Sequence, residues 1–138
     1  MNTYASSPTS TQQDLQALED LRHAAEQGNA KAQLALGTLY AQGRGVLQDQ
    51  KQAVFWFQKA ADQGHKVAQF NLGVCYAKGQ GVLQDWNQAL AWFHKAADQK
   101  FPEAQYVIGT CYGQGQGITQ DRKQALHWYT QAAEQGHA

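Results

Sequence analysis

The sequence has 138 residues, and its eleven basic and eleven acidic side chains give a formal net charge of zero. This length suits a single domain, and the neutral balance argues against a nucleic acid or an acidic membrane surface as the main partner. No apolar run is long enough to span a bilayer, and the first residues lack the basic and apolar regions of a secretory signal. We therefore expect a cytoplasmic chain, or a periplasmic one if a signal has been removed.

The chain begins with a polar segment that leads into one amphipathic helix. Residues 1–11 are small and polar and predict a disordered N-terminal tail. Residues 12–27 predict a cap helix, because Thr11 and Asp14 resemble a capping box and leucines recur three residues apart. This helix takes the place of the second helix of a repeat that lacks its first helix.

The rest of the chain is an internal repeat with a constant period of 36 residues. Residues 24–59, 60–95 and 96–131 align with one another without a gap, and residues 132–138 form the end. A fixed period of this size indicates a stacked-repeat architecture, in which a residue present in every copy serves packing first. We therefore expect one repeat domain over residues 12–138.

Each copy contains two helical patterns, near residues 30–42 and 50–63 in the first copy. The first pattern places alanine, leucine, glycine and tyrosine on one stripe, and the second places tryptophan, a further aromatic residue and alanines on its inner side. Large aromatic residues opposite small ones predict an interdigitated core anchored by Trp56, Trp92 and Trp128.

The segments between the helices carry turn and capping signals. Gly-x-Gly elements predict left-handed turns after each first helix, and Asp49, Asp85 and Asp121 predict N-caps for the second helices. Lys100 replaces the glycine that ends the other second helices, so we expect a lysine with positive φ there.

The two cysteines, Cys75 and Cys111, lie at the same position of successive copies. Equivalent helices of stacked repeats lie too far apart for a disulfide. We expect two free thiols and no metal site, because no further ligands stand at a recognisable spacing.

These recurring positions resemble the Sel1-like repeat, a relative of the tetratricopeptide repeat, over about nine-tenths of the chain. In the first copy the pattern is carried by Ala32, Leu36, Gly37, Tyr40, Gly43, Gly45, Val46, Asp49, Ala53, Trp56, Lys59, Ala60, Ala61 and Gly64. The resemblance implies an all-α, right-handed superhelical solenoid of antiparallel helix pairs with about seven helices, whose first helices line a concave groove.

Function is expected at positions that vary between copies, because packing does not dictate them. By similarity to the tetratricopeptide groove, Leu34, Phe70 and Tyr106 form an apolar ladder for a peptide or helix of another protein. The alternative is that the superhelix buries this ladder as core. The other predicted contacts are Val67, Val74, Lys31, Lys78, Gln42, Gln114 and Asn71.

Two further features leave alternatives open. Trp86 follows the cap Asp85, and it either contacts a partner or covers the neighbouring loop. The second helix of the last copy has no capping helix after it, so Leu126 and Tyr129 predict an apolar surface. Three alternatives are open: the chain is cut from a longer protein, this end forms a homodimer, or another partner covers it.

No catalytic constellation emerges from the sequence. The five histidines are scattered, without a pair at helical ligand spacing or a clustered carboxylate partner, and the Gly-x-Gly elements lack the features of a phosphate loop. We therefore predict a non-catalytic protein-binding module without cofactors, either an adaptor or scaffold or an inhibitor of a secreted effector. The alternatives are a self-associating structural stack and, remotely, a small-ligand or cell-wall-related hydrolase function that the resemblance suggests.

Overall fold

The computed structural model describes residues 8–136. Within these residues the only extended secondary structure is α-helix and there is no strand, which confirms the predicted all-α solenoid class. Short loops join consecutive helices, and each helix packs on the next one along the chain. The seven helices are α1 (Pro8–Glu26), α2 (Ala30–Gln42), α3 (Gln50–Asp62), α4 (Lys66–Lys78), α5 (Trp86–Asp98), α6 (Pro102–Gln114) and α7 (Arg122–Glu134).

Helix α1 begins earlier than the sequence predicted. It starts at Pro8, so Thr11 lies inside the helix, and the predicted tail boundary at residue 11 is wrong. Proline is well tolerated in the first turn of a helix, where its missing N–H has no partner to lose. The remainder of the predicted tail, residues 1–7, lies outside the described residues.

The predicted caps are confirmed. The carboxylates of Asp49, Asp85 and Asp121 accept hydrogen bonds from the backbone N–H three residues later, each at 3.1 Å. Lys100 has a φ of 62°, as expected for a lysine in a glycine position. These caps stand at the N-termini of α3, α5 and α7 and satisfy a backbone N–H that has no partner within the helix.

In the first two helix pairs, the core contains the aromatic residue that follows the predicted tryptophan anchor, namely Phe57 or Phe93. Phe93 is 1% exposed, and a Cβ on Gly73 would lie 2.7 Å from its ring. Trp92, by contrast, is half-buried and packs on a core cluster that residues of α3 and α4 form together. Adjacent helix residues point about 100° apart, so only one of the two can face the first helix of its own pair. Trp92 therefore packs between repeats, whereas Trp56 is 7% exposed and is a member of a core cluster with residues of α1 and α2.

A buried glutamine in each first helix ties three elements together, and the sequence analysis did not identify it. Each glutamine donates from Nε2 to the carbonyl of an alanine in the preceding helix and accepts from a second glutamine that ends the following helix. We call these pairs the glutamine ladder. Its buried members are Gln33, Gln69 and Gln105, their partners are Gln63, Gln99 and Gln135, and the alanines are Ala25, Ala61 and Ala97.

We expect Gln69→Ala to lower the free energy of unfolding by about 1–3 kcal/mol, because it removes the two hydrogen bonds that this buried side chain makes. Gln88→Ala is the matched control. Gln88 is exposed on α5, so its replacement should change stability by less than about 0.5 kcal/mol. Urea unfolding followed by far-UV circular dichroism measures both. Equal losses in the two variants would contradict a stabilising role for the ladder.

Candidate functional site

The side chains of the apolar ladder predicted from the sequence lie at the boundary between the core and the surface. Leu34 and Phe70 are half-buried, and Tyr106 is 45% exposed. The Phe70 ring lies 5.5 Å from the Phe93 ring and 5.5 Å from the Phe101 ring. The three residues are thus neither free surface groups nor central core residues, and they present only part of each side chain to a ligand.

A recess of about 530 Å³ lies between α2 and α4 and contains the middle of this ladder. We call it the α2–α4 recess. Its apolar surface is formed by Phe57, Phe70, Val74 and Cys75, together with Ala41. Polar side chains complete the lining, and none of the lining residues is an acid or a base. These polar residues are Thr38, Gln42, Gln48, Gln50, Asn71 and Gln80. Four residues predicted from the sequence therefore meet here, namely Gln42, Phe70, Asn71 and Val74.

The amides of the recess fall into two groups. Gln48 donates a hydrogen bond to the carbonyl oxygen of Ala41 at 2.8 Å, and equivalent bonds recur in the other copies. This amide therefore has a structural role in every repeat. Gln42, Asn71 and Gln80 make no side-chain hydrogen bond within residues 8–136. Their amides are therefore available to a ligand as both donors and acceptors. Gln80 was missed by the sequence analysis because it lies inside a Gly-x-Gly element that was interpreted only as a turn.

The remaining predicted contacts do not line the recess. Lys31, Lys78 and Gln114 are exposed on α2, α4 and α6, and Val67 is half-buried on α4. Lys78 lies four residues after Val74, which places it one turn further along the same face of α4. It is therefore the charged group of α4 nearest in sequence to the recess lining.

Trp86 packs against the neighbouring loop, which favours the second of its two predicted roles. A Cβ on Gly117, in the loop between α6 and α7, would lie 2.6 Å from the Trp86 Cβ. The indole is half-buried and packs against the core cluster that contains Phe93. Its contact with Gly117 gives Trp86 a packing role between repeats.

Among residues 8–136, three titratable groups have shifted pKa values, in each case mainly because of burial. Burial raises the pKa of the Cys75 thiol, which a nearby lysine lowers to a smaller extent, and it raises the pKa of the Cys111 thiol. Burial also lowers the pKa of His94, whose ring lies 5.5 Å from the Trp128 ring. Both cysteines are free thiols, as predicted, and they are neutral near pH 7. Neither thiol is therefore an activated nucleophile.

The part of the chain that the structure describes brings no metal-binding group of His, Cys, Asp or Glu side chains together. None of the helices in this part is long and apolar enough to cross a membrane. A second apolar recess, of about 510 Å³, lies beside α1 and is lined by Leu15, Leu18, Leu21 and Leu39 among others. On α7, Leu126 is 67% exposed, whereas the equivalent Leu90 on α5 is 7% exposed.

Comparison with protein families identifies the repeat. The profile of the Sel1 repeat matches residues 30–65, 66–101 and 102–137. These units have the same 36-residue period as the sequence alignment but begin at the first helix of each pair, six residues after the predicted divisions. No curated protein matches the chain.

Solved structures with the same fold come from several bacteria. A protective antigen of uropathogenic Escherichia coli strains, described as displaying an SLR fold, is 46% identical with a TM-score of 0.86, over 88% of this chain and 26% of its own. A Sel1 repeat protein from Oxalobacter formigenes is 36% identical with a TM-score of 0.76, over 86% of this chain and 55% of its own. Helicobacter pylori cysteine rich protein B shares the fold at 23% identity and a TM-score of 0.66, over 86% of this chain and 90% of its own. The chain thus spans about a quarter and about half of the first two proteins.

Proposed function

The chain belongs to the Sel1 repeat family, whose members are generally non-catalytic protein-interaction modules, and we propose that it binds a segment of another protein in the groove formed by α2, α4 and α6. The α2–α4 recess is the observation that carries this proposal. It combines an apolar surface at Phe70 and Val74 with three unengaged amides, which is the composition expected of a site that orients a mostly apolar ligand with a few polar contacts. An adaptor or scaffold role fits such a site.

The test is to fill the recess without disturbing the core. Asn71→Arg and Gln42→Arg, combined in one variant, place two long side chains where the ligand is proposed to lie. The matched control carries Gln52→Arg and Gln88→Arg, which change exposed glutamines on α3 and α5. Both variants should keep the helical circular dichroism spectrum and the melting temperature of the wild type.

Affinity capture from a lysate of the source organism then compares the three proteins. We expect one protein to be retained by the wild type and by the control and to be lost, by at least about tenfold, from the recess variant. Retention of the same proteins by all three would contradict binding in the groove.

The exposed apolar face of α7 supports self-association as a second candidate function. Within the described residues, Leu126 is exposed to solvent, whereas Leu90 at the equivalent position of α5 is buried. Exposed apolar patches are common interaction surfaces. The molar mass of the wild type, measured by light scattering over a range of concentrations, should then rise toward that of a dimer. A constant monomer mass would exclude this candidate.

A further inference from the structure

The α2–α4 recess also carries information about the chemistry of its occupant. We propose that the recess binds an extended peptide segment, which places one apolar side chain against Phe70 and Val74 and carries an acidic side chain beside Lys78. This inference rests on the proposed function and refines it, because a groove of this kind could accept either a helix or an extended chain.

The unengaged amides favour an extended backbone. Gln42, Asn71 and Gln80 line the recess and make no side-chain hydrogen bond within residues 8–136. An extended peptide offers alternating N–H and C=O groups, and each amide side chain can both donate to and accept from such groups. A helix has satisfied these groups internally, so its apolar face would cover the three amides without pairing them. The recess is therefore complementary to an unpaired backbone.

The apolar side of the recess requires an anchoring side chain. Phe70 is half-buried and held in place by the rings of Phe93 and Phe101 on its inner side. Val74 and the neutral Cys75 continue this surface along α4. A volume of about 530 Å³ lies within the range of small-ligand pockets. It therefore accommodates one large apolar side chain and the peptide groups that flank it.

The charges on α2 and α4 indicate which kind of ligand residue lies next to the apolar anchor. The recess lining carries no acid or base, while α2 and α4 together carry Lys31, Lys66 and Lys78 and no acidic residue. Lys78 follows Val74 by one helical turn, so it is close enough to pair with a ligand side chain next to the anchor. A negative charge at that place would be steered toward the groove and a positive one repelled. An Asp or Glu within a few residues of the anchor is the complementary choice.

The experiment uses a displayed library of random twelve-residue peptides, selected on the full chain and counter-selected on the variant with Asn71→Arg and Gln42→Arg. We expect the enriched peptides to share an apolar residue with Asp or Glu within three positions. For a synthesised representative, changing its acid to the amide should weaken binding to the wild type by about tenfold, which is the size of one charge-assisted hydrogen bond. Lys78→Glu should weaken binding of the acidic peptide by at least the same factor. It should leave the affinity for the amide form nearly unchanged. The control is Lys123→Glu on α7, which should alter neither affinity.

Backbone conformation is tested on the same peptide. A lactam linking residues four apart forces a helix, and we expect it to weaken binding by at least tenfold. Stronger binding of the lactam form, or a gain of helical signal on binding, would overturn the extended-peptide inference but leave the proposed groove function in place. If no peptide is selected, or if none of the selected peptides distinguishes wild type from the recess variant, both proposals fail.

Discussion

Replacing Phe93 by alanine is expected to lower the free energy of unfolding by about 3–5 kcal/mol, the usual range for a phenylalanine removed from a core. The side chain is 1% exposed. It lies over Gly73, where no side chain can fill the space that it leaves, and it supports the Phe70 ring at 5.5 Å. Helix α4 can move toward the cavity only by breaking its contacts with α3, so relaxation should be small.

Phe55→Ala is the matched control, because it is the same chemical change in an equivalent helix. Phe55 is 50% exposed on α3, where its ring makes a T-shaped contact with the Trp56 ring, with 4.9 Å between the ring centres. We expect a loss of about 1 kcal/mol, the centre of the usual range for single substitutions, because part of the Phe55 ring is in contact with Trp56. Denaturant unfolding of both variants gives the comparison. A Phe93 variant that loses no more than the Phe55 variant would show that the second helix pair is not packed as described.

The repeat architecture could be predicted from the sequence because its signals are local. The caps at Asp49, Asp85 and Asp121 and the bounds of α2 follow from residues within a few positions of each helix end. Because the sequence repeats every 36 residues, a prediction made for one helix pair applies to all three pairs. Family membership needs nothing more than this pattern, because so many of its positions recur in every copy.

The candidate site could be predicted only in part. The sequence identified Gln42, Phe70, Asn71 and Val74 as groove residues, but their meeting in one recess depends on how far apart α2 and α4 stack. Whether an amide side chain forms a hydrogen bond likewise depends on tertiary structure. Gln48 and Gln80 are both loop glutamines, but within residues 8–136 only Gln48 donates to a backbone carbonyl. The buried glutamine ladder was missed for the same reason, since glutamine is usually a surface residue.

The contact between neighbouring repeats gives the last prediction, which concerns Gly81. This glycine has a φ of 75°, and a Cβ placed on it would collide with the backbone carbonyl of Gln50 and lie 2.9 Å from Val54 Cγ2. Gly81→Ala therefore combines two costs. A left-handed conformation costs a residue with a Cβ about 1–2 kcal/mol, and overpacking against the preceding repeat costs about 1–3 kcal/mol more.

Gly45→Ala separates these two costs, because Gly45 occupies the same place in the preceding loop and has a φ of 77°, but a Cβ placed on it would meet no atom within 4 Å. Gly45→Ala should lower the free energy of unfolding only by the conformational cost, about 1–2 kcal/mol. The difference in unfolding free energy between the two alanine variants then measures how tightly the loop after α4 is pressed onto α3. A difference near zero would mean that this loop withdraws from α3 at little cost. A difference of about 1–3 kcal/mol would mean that neighbouring repeats hold each other rigidly, and the α2–α4 recess, which Gln80 of the same loop lines, would then keep its shape before a ligand arrives.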